Sequence, residues 1–523
     1  MEYDVNQRAM RLLFLASLAV SAVACASAPQ EPVRCAAPRL VVSDLIVGDG
    51  SLDRGFPGGV SLVDVDDDGD LDLMATGGYS PVANPTPPRY TYRANVLYLN
   101  DGAGNFAHSE QSAFTPDNPH SGSTWGDVDN DGDLDAFVGV QHGRPDVFYR
   151  NLGFGRLARE DLGDATTTRG SNFAASWVDI DGDGDLDLTS GGPTLEMPAP
   201  LLIYRNDAGN FARVTGTPLE NGNSNAGAIL WADFDNDGDV DLFVANSDIA
   251  RQSNIAPAEY ESSQLYRNDG AWLFVRTQGQ AFSEAAHPAV GAAAGDIDGD
   301  GDLDVYLSQF RGPDRIFLND GAGQFSLDPR FTGPEHEELS TAAAFGDADG
   351  DGDLDLVQVA YGEGIGFWIN DGRGQFVRSD DTALASRVRH YWGAASGDID
   401  NDGDVDFVLG SWGETAAGEY ITLLRNESTP CGRPLRIELR NGYGARDPLG
   451  ARVTLITRGP NGERRQLREA MGQSSMRSQS GSAFLFGMPR GERAVAAEVR
   501  WPDGRMERVT RLSSDRVNVI RAE

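Results

Sequence analysis

Aspartates recur along this chain in a nine-residue pattern that suits a hard metal cation. In each copy, aspartates at positions 1, 3, 5, 7 and 9 accompany a glycine at position 6. Calcium takes about six to eight oxygen ligands in a flexible cage. Side chains at positions 1, 3 and 5 can converge on one ion, the carbonyl of position 7 can add a ligand, and the aspartate at position 9 closes the site. The copies, named acidic loops 1 to 7, contain in order Asp64, Asp66, Asp68, Asp70 and Asp72; Asp127, Asp129, Asp131, Asp133 and Asp135; Asp179, Asp181, Asp183, Asp185 and Asp187; Asp233, Asp235, Asp237, Asp239 and Asp241; Asp296, Asp298, Asp300, Asp302 and Asp304; Asp347, Asp349, Asp351, Asp353 and Asp355; and Asp398, Asp400, Asp402, Asp404 and Asp406.

Electrostatics favours a metal ion in these loops over water alone. Each acidic loop carries at least five carboxylates, and loop 1 has a sixth at Asp67. Two carboxylates about 4 Å apart repel each other by about 4 kcal/mol at an intermediate dielectric. A divalent cation offsets much of that repulsion. The sequence therefore predicts structural Ca²⁺ at up to seven sites, with no other cofactor and no catalytic residue.

The EF-hand is the main alternative, because its calcium loop opens in the same way. An EF-hand loop ends in a bidentate glutamate at position 12 and lies between two helices. Position 12 carries no glutamate in this chain, and its residues are Ala75, Val138, Ser190, Val244, Leu307, Gln358 and Leu409. The flanking segments, such as 71–74 and 405–409, alternate as strands do. The acidic loops are therefore predicted to lie in β-hairpins.

The residues around each acidic loop predict a four-stranded blade. A run of small residues, such as 291–295, precedes the loop and suits an innermost strand crowded by its neighbours. A third strand ends in an Asn-Asp-Gly turn, as at 100–102 and 319–321. An outer strand then opens with an aromatic residue such as Phe106. Successive loops start 51 to 63 residues apart, a period that predicts an all-β fold with a seven-bladed β-propeller at residues 39–431.

The seventh repeat lacks an outer strand, because residues 427–431 follow its third strand directly. The strand-like segment 40–46, which precedes the first repeat, can supply the missing strand. That arrangement places Cys35 just before the supplied strand and Cys431 just after the truncated turn. A disulfide between them would lock the ring shut. Two unrelated thiols are the alternative.

The two ends of the chain differ in charge. Residues 431–523 hold 18 arginines against 10 acidic residues, a net charge of +8, so the rest of the chain carries −45 and the whole chain −37. Such acidity argues against nucleic-acid and anionic-membrane partners. Residues 432–523 form short alternating runs that predict a small β-sandwich-like domain. Its arginines either dock the domain on the acidic propeller or form a solvated face, and the sequence leaves both open.

The N-terminus has the pattern of an export signal over residues 1–24. Arg8 and Arg11 precede the apolar run 12–20, which is short for a membrane span, and small residues follow it. The prediction is an exported protein, either periplasmic or extracellular.

Residues 22–25 resemble a bacterial lipobox in which Cys25 carries the lipid. Ordinary cleavage between Ala24 and Ala28, without a lipid, is the alternative. The lipobox predicts a bacterial outer-membrane lipoprotein that meets the membrane only through its anchor. Residues 25–38 are then a linker, and the mature chain is expected to be a monomer.

The motifs resemble a known family. Residues 39–431 resemble the FG-GAP/VCBS repeats of integrin-α-like propellers, and residues 432–523 resemble the ASPIC/UnbV domain that follows such repeats in bacterial proteins and in the cartilage acidic protein family. The second resemblance rests on Asp447-Pro448-Leu449-Gly450-Ala451-Arg452-Val453, Gln466-Leu467-Arg468-Glu469, Phe484-Leu485-Phe486-Gly487 and Val499-Arg500-Trp501-Pro502-Asp503-Gly504. The domain commonly has a histidine before its Phe-Gly pair, where this chain has Leu485.

The resemblance implies that the metal loops lie on one face of the ring and that ligands bind the opposite face. The loops between second and third strands and between blades would build that opposite face. These loops carry Tyr79, Tyr90, Tyr92, His142, Arg144, Arg251, Arg311, Tyr361, Trp412, His390, Tyr391 and Trp392. Aromatic rings with arginine and histidine suit sugars or peptides, although packing alone also accounts for them.

The predicted function is that of a calcium-binding binding or adhesion module at the cell envelope, with an unidentified protein or glycan ligand. A carbohydrate-active propeller, either a lectin or a polysaccharide lyase, is the alternative, and a structural partner in a surface assembly is a third possibility. An enzyme is disfavoured, because the six histidines are scattered and no nucleophile elbow is present.

Overall fold

The computed structural model of this chain describes residues 35–46, 57–81, 90–170, 172–192, 200–221, 226–246, 262–270, 272–284, 289–412, 419–428, 431–481 and 484–522. Val33–Glu523 form one compact unit. The predicted signal peptide at 1–24 and the predicted lipidation site Cys25 lie outside the described residues. None of the described helices is long and apolar enough to cross a membrane.

Within the described residues, strands account for nearly all of the regular structure. The first 32 strands are β1 Leu40–Ile46, β2 Pro57–Val63, β3 Asp72–Gly77, β4 Tyr79–Pro81, β5 Tyr90–Tyr92, β6 Val96–Asn100, β7 Phe106–Ser109, β8 His120–Gly126, β9 Asp135–Val140, β10 Arg144–Pro145, β11 Val147–Asn151, β12 Leu157–Glu160, β13 Arg169–Gly170, β14 Ala174–Val178, β15 Asp187–Gly191, β16 Leu202–Asp207, β17 Asn210–Arg213, β18 Ala226–Ala232, β19 Asp241–Asn246, β20 Gln264–Asn268, β21 Phe274–Arg276, β22 Ala289–Gly295, β23 Asp304–Pro313, β24 Arg315–Asn319, β25 Phe325–Leu327, β26 Glu335–Gly346, β27 Asp355–Glu363, β28 Gly366–Asn370, β29 Phe376–Arg378, β30 Arg389–Gly397, β31 Asp406–Trp412 and β32 Glu419–Asn426. The remaining strands are β33 Leu435–Arg440, β34 Arg452–Gly459, β35 Gly462–Glu469, β36 Phe484–Phe486, β37 Arg493–Arg500, β38 Met506–Val509 and β39 Asn518–Arg521. The short helices are α1 Asp164–Thr167, α2 Ala281–Glu284, α3 Thr382–Ala385 and a 3₁₀ turn at Pro218–Asn221.

Antiparallel pairing joins 28 of the described strands into seven four-stranded blades. From inner to outer strand, blades 1 to 7 are β2-β3-β6-β7, β8-β9-β11-β12, β14-β15-β16-β17, β18-β19-β20-β21, β22-β23-β24-β25, β26-β27-β28-β29 and β30-β31-β32-β1. The ends of β23 and β27 also pair with β26 and β30, which makes blades 5 to 7 one continuous sheet. The all-β propeller class predicted from the sequence is confirmed.

Apolar clusters between consecutive blades hold the ring together. The inner strands neighbour one another in cyclic order, and β30 of blade 7 lies beside β2 of blade 1. At that junction Leu62, Val408 and Leu423 belong to one buried cluster. Burying a leucine or valine fully contributes about 1.5–3 kcal/mol. Because both faces of each blade pack on a neighbour, the middle strands are buried on both sides, as β3 is along its whole length.

The ring closes through strand β1, as predicted. β1 pairs with β32 in an antiparallel register that runs from Leu40 opposite Asn426 to Leu45 opposite Ile421. The N-terminal strand therefore supplies the outer strand of blade 7. Beyond it, Cys35 and Cys431 form a disulfide, with their Cα atoms 5.1 Å apart.

Residues 431–522, called the C-terminal unit, form two facing sheets. One sheet is β36-β33-β39 and the other is β35-β34-β37-β38. Their inner faces share a buried cluster that includes Leu435, Val453, Phe486 and Trp501. β33 and β39 pair in parallel, although the other pairs of the unit are antiparallel. The sandwich-like arrangement agrees with the prediction for this part of the chain.

Candidate metal centres

Each acidic loop lies in the same hairpin of its blade, as the sequence predicted. Position 1 follows the last residue of the inner strand, and position 9 is the first residue of the second strand in all seven blades. In blade 1, for example, β2 ends at Val63, Asp64 follows, and β3 begins at Asp72. Because the inner strands run side by side around the axis, this repetition gathers all seven loops at one face, called the acidic-loop face.

Carboxylate oxygens converge inside the loops. The side chains of Asp64, Asp66 and Asp72 in loop 1 place oxygens within 4.8 Å of one another, and the same positions do so in loops 3 and 4. In loop 2 the converging positions are 1, 3 and 5. Several of these oxygens are buried and accept no hydrogen bond among the described residues; they include Oδ1 of Asp66, Asp181, Asp298, Asp400, Asp233, Asp347 and Asp398. Groups of oxygen atoms that converge and lack a hydrogen-bond partner fit a hard cation such as Ca²⁺ as its ligands.

The backbone of the loops explains their sequence. The glycine at position 6 has a φ between +93° and +110° in every loop, as at Gly184 and Gly238. Position 4 is also left-handed and holds glycine, asparagine or aspartate, with a φ of 60° at Asp67 and 57° at Asn401. These residue types tolerate that conformation best. The glycine at position 6 was predicted, whereas the constraint at position 4 was not.

The aspartate at position 9 fixes the loop to the blade. Oδ2 of Asp72 accepts from the backbone N–H of Val65 at 2.9 Å, and its Oδ1 accepts from the backbone N–H of Asn100 at 2.9 Å. Asp304 repeats the pattern with Ile297 and Asn319. Each oxygen keeps a second lone pair, so the same side chain can bind a cation as well.

An asparagine at the end of the third strand joins each blade to the one before it. Nδ2 of Asn100 donates to the carbonyl of Leu71 in its own loop at 3.1 Å and to the carbonyl of Ile399 in blade 7 at 2.7 Å. The equivalent residues are Asn151, Asn206, Asn268, Asn319, Asn370 and Asn426. Sequence reasoning placed Asn100 only in a turn. The signal was its recurrence at one position in all seven repeats.

Burial disfavours the charged form of these carboxyl groups in the metal-free loops. It raises the pKa of Asp72 and of Asp304 to about 8, against the backbone hydrogen bonds that lower it. It likewise raises the pKa of Asp127 and of Asp179 to about 7. A bound divalent cation would reverse this preference, because it stabilises the ionised ligands directly.

Arginines of the C-terminal unit cover the acidic-loop face. Arg446 pairs with Asp64 at 3.0 Å and with Asp67 at 2.9 Å. Arg500 pairs with Asp233, whose side chain is fully buried. Asp64 and Asp233 stand at position 1 of their loops. The arginines of the tail, for which the sequence left docking and solvation open, therefore dock the C-terminal unit on the propeller.

A segment of the C-terminal unit, residues 470–481, enters the central channel and is called the channel segment. Gln479 accepts from the backbone N–H of Trp125 at 2.7 Å and donates to its carbonyl at 3.2 Å. Gln473 accepts from the backbone N–H of Ile229 at 2.9 Å. The channel-facing edges of the inner strands thus gain hydrogen-bond partners, which a buried sheet edge needs. Sequence reasoning missed this segment.

The tip of the channel segment reaches the far end of the channel. The guanidinium of Arg477 lies 4.3 Å from the ring centroid of Phe173 and 4.7 Å from that of Trp392. A Cβ on Gly59 would lie 2.0 Å from the carbonyl oxygen of Arg477, and one on Gly122 would lie 2.6 Å from its Cα. Small residues at the start of the inner strands are therefore required by this close approach.

Several residues expected on the opposite face do come together. The rings of Tyr361 and His390 stack with centroids 3.9 Å apart, and Trp392 meets Tyr361 edge-on at 6.0 Å. Arg144 lies over the ring of Tyr92 at 4.7 Å. Tyr391 is buried and His142 is exposed. The side chains of Tyr79, Tyr90, Arg311 and Trp412, and all of Arg251, lie outside the described part of the chain.

Comparison with known families agrees with this architecture. Residues 64–138, 194–244, 254–307 and 296–358 match the family described as FG-GAP-like repeat. Residues 442–523 match the family described as ASPIC and UnbV. The two matches divide between the propeller and the C-terminal unit.

Two curated relatives match about half of this chain, and they have the same name. Cartilage acidic protein 1 of Mus musculus is 27% identical over 278 residues, which cover 49% of this chain and 40% of the relative. Cartilage acidic protein 1 of Homo sapiens is 26% identical over 263 residues, which cover 46% of this chain and 37% of the relative. The chain thus matches less than half the length of these relatives.

Solved structures resemble the chain only distantly. A lectin of Agrocybe aegerita that recognises non-reducing terminal N-acetylglucosamine aligns at 18% identity and a TM-score of 0.40, covering 65% of this chain and 79% of the lectin. Rhamnogalacturonan lyase YesW aligns at 12% identity and a TM-score of 0.41, covering 72% of each chain. YCF48, bound to D1 peptide, aligns at 9% identity and a TM-score of 0.43, covering 77% of this chain and 100% of YCF48. Similarities at this level carry no functional argument.

Proposed function

The chain belongs to the proteins that combine FG-GAP-like repeats with an ASPIC/UnbV domain, and from that premise we propose that it is an exported, calcium-binding propeller that binds a ligand through the face opposite its acidic loops. Calcium is structural in this proposal. It holds each hairpin in shape and takes no part in chemistry.

Unpartnered buried carboxylate oxygens carry the calcium part of the proposal. In loops 1, 3, 5 and 7, the buried Oδ1 of the position-3 aspartate accepts no hydrogen bond among the described residues. A buried carboxylate oxygen without a donor is costly, and its recurrence at one loop position implies one missing partner. All donors in the loops are oxygens, and the turn is built on glycine. Both features favour Ca²⁺ over softer metals.

Aromatic rings on the opposite face support the ligand part of the proposal. The stacked rings of Tyr361 and His390 lie at the end of the inner strands away from the acidic loops. Aromatic rings that stand beside arginines present both an apolar platform and hydrogen-bond donors, which suits a glycan or a peptide. The acidic-loop face offers less, because the C-terminal unit covers much of it.

Export and placement at the cell envelope rest on separate features. The Cys35–Cys431 disulfide favours an oxidising compartment. The apolar N-terminal run and the Cys25 lipobox favour a secreted or lipid-anchored form. Labelling with a radioactive fatty acid, compared between the native chain and Cys25→Ala, tests the anchor. Equal labelling of the two chains would refute it.

A calcium titration tests the metal part of the proposal. Isothermal titration of the metal-free chain should reveal several sites, with dissociation constants on the order of 10⁻⁴–10⁻³ M or tighter. Asp298→Asn should remove one site, because Asp298 is the position-3 ligand of loop 5. Asp371→Asn, which alters an exposed turn aspartate outside the loops, should leave the site count unchanged. If adding calcium to the native chain produces no heat of binding, the proposal is refuted.

Two assays separate adhesion from the carbohydrate-active alternative. A glycan array identifies a lectin, and binding lost in Tyr361→Ala assigns it to the opposite face. New ultraviolet absorbance on incubation with uronate-containing polysaccharides identifies a lyase. The chain can also be used to capture ligands from envelope fractions, with and without calcium. If the captured ligand is a protein and not a glycan, adhesion is favoured.

A further inference from the structure

Within the described residues, three acidic loops donate a hydrogen bond to the next loop around the ring. In each of them, Nδ2 of the asparagine at position 4 donates to Oδ1 of the aspartate at position 7 of the next loop. The pairs are Asn130 with Asp185 at 3.0 Å, Asn236 with Asp302 at 2.8 Å, and Asn401 with Asp70 at 2.7 Å. These asparagines, called the linking asparagines, join loop 2 to loop 3, loop 4 to loop 5, and loop 7 to loop 1.

Position 4 of the other loops cannot make this contact, because glycine has no side chain to donate and an ionised aspartate only accepts. The glycines of loops 3, 5 and 6 are Gly182, Gly299 and Gly350. In loop 1, Asp67 pairs instead with Arg440 and Arg446 of the C-terminal unit. In loop 6, the position-7 aspartate Asp353 pairs with Arg464 at 3.2 Å. The loops therefore form three linked pairs, and loop 6 belongs to none of them.

Arginines of the C-terminal unit hold two of the linking asparagines from the other side. Nη1 of Arg452 donates to Oδ1 of Asn236 at 2.6 Å. Nη1 of Arg436 likewise donates to Oδ1 of Asn401. An amide that accepts through its oxygen and donates through its nitrogen has a defined orientation. Because Arg452 is itself buried, it holds Asn236 in the orientation that reaches the next loop.

Both ends of the link lie next to residues that are candidate metal ligands. Position 4 stands between positions 3 and 5, so its conformation becomes fixed when a cation draws those two carboxylates together. At the receiving end, the backbone N–H of Asp302 donates to Oδ1 of Asp300, the position-5 aspartate of loop 5, at 3.1 Å. The carbonyl of position 7 is also the expected backbone ligand. The hydrogen bond of Asn236 therefore connects the candidate ligands of loop 4 with those of loop 5.

We propose that the linking asparagines couple calcium binding within the loop pairs 2 and 3, 4 and 5, and 7 and 1, so that calcium in one loop raises the affinity of its partner. The inference rests on the proposed function, because it requires calcium in the loops. A loop that calcium has ordered fixes its asparagine, and the partner loop then loses less conformational freedom when it binds. The coupling is reciprocal, so either loop of a pair can fill first. Loop 6 binds independently.

Calcium binding to the intact chain, followed with a competing fluorescent calcium indicator, tests the coupling. The Hill coefficient of the native chain should lie between about 1 and 2, because no loop has more than one partner. The triple variant Asn130→Gly, Asn236→Gly and Asn401→Gly should have a lower Hill coefficient, of about 1 or less. Its loops keep their shape, because φ is 60°, 60° and 57° at these positions and glycine adopts such values without strain. Equal Hill coefficients in the two chains would overturn the coupling and leave calcium binding itself in place.

Two variants at position 3 show which loops are coupled. Asp298→Asn, in loop 5, should remove one site in calorimetry and weaken a second site, that of loop 4, by about fivefold or more. Asp349→Asn, at the same position of the unlinked loop 6, is the control and should remove one site without weakening another. If Asp298→Asn weakens no second site, the coupling is wrong although the loops bind calcium. If the native chain binds no calcium, the proposed function fails and the coupling fails with it.

Discussion

The two faces of this propeller differ in what their side chains meet. On the acidic-loop face, charged groups are buried against other charged groups, as Asp233 is against Arg500. On the opposite face, rings meet rings, as Tyr361 meets His390. The first kind of contact is expensive to break, because it leaves a charge in the interior. The second kind is cheap to break and suits exchange with a ligand.

This difference separates the face that stabilises the fold from the face where we propose that a ligand binds. Arginines of the C-terminal unit pair with aspartates of the acidic loops, and the channel segment enters the centre of the ring. The acidic-loop face therefore consists largely of contacts that stabilise the fold. The opposite face presents the stacked rings of Tyr361 and His390, and there we propose that the ligand binds, so changes on the two faces should have opposite consequences.

The largest single effect is expected at Arg452, on the covered face. Its guanidinium donates to Glu469 at 2.6 Å, to Asn236 at 2.6 Å and to the carbonyl of Asp233 at 2.6 Å. Arg452→Met leaves the buried Glu469 without its partner and should lower the free energy of unfolding by about 3–5 kcal/mol. Chemical denaturation followed by circular dichroism measures the loss.

Arg458→Met is the matched control for that change. Arg458 lies on the same strand, β34, and pairs with Glu463 in solvent, with 56% of its side chain exposed. A solvent-exposed pair contributes about 0–1 kcal/mol. Equal destabilisation by the two substitutions would contradict the view that docking of the C-terminal unit rests on buried charges.

Cys35→Ser should have the next largest effect. The disulfide joins residues 396 apart in sequence and closes the ring beside loop 6, where Cys431 approaches Gly350. Loss of the bond should lower the free energy of unfolding by about 2–4 kcal/mol, because it restores freedom to the unfolded chain. Reduction of the native chain should reproduce the loss. If the oxidised native chain and Cys35→Ser unfold alike, the bond does not stabilise the ring.

Tyr361→Ala, on the opposite face, should lower stability less than Arg452→Met and Cys35→Ser do. It removes the stack on His390 and the edge contact with Trp392, which together contribute about 0.5–1.5 kcal/mol. Binding to a ligand found on the glycan array, or recovered from envelope fractions, should fall far more than the melting temperature does. Severe destabilisation with unchanged ligand binding would reverse the roles assigned to the two faces.

Much of this architecture could be predicted because its causes repeat in the sequence. Seven acidic loops between strand-like segments predicted the hairpins. The missing outer strand of the last repeat predicted that residues 40–46 supply it. The asparagines that join neighbouring blades also recur in the repeats. A position in a turn is already enough to explain a residue such as Asn319. Only contact with the neighbouring blade, through the carbonyl of Phe234, reveals its second role.

Other features had no local signal. The sequence does not distinguish an arginine that is solvated from one that pairs with the propeller, as Arg446 does with Asp64. The channel segment, residues 470–481, has neither strand alternation nor a helical period, because its hydrogen bonds go to strands distant in sequence. Both kinds of contact join parts of the chain that lie far apart in sequence. Sequence patterns report local periods and cannot report such junctions.

The central claim, that calcium in the acidic loops is structural, is tested most directly by thermal melting with calcium and with EDTA at pH 5 and pH 8. Without metal, burial raises the pKa of position-9 carboxyls such as Asp72 and Asp304 to about 8, well above the unfolded value of about 3.9. The folded chain then binds more protons than the unfolded chain between those values, so stability in EDTA should fall as pH rises. In our proposal calcium binds the ionised loops, so the gap in melting temperature between calcium and EDTA should be large at pH 8 and smaller at pH 5. Identical melting in calcium and EDTA at pH 8 would contradict the claim.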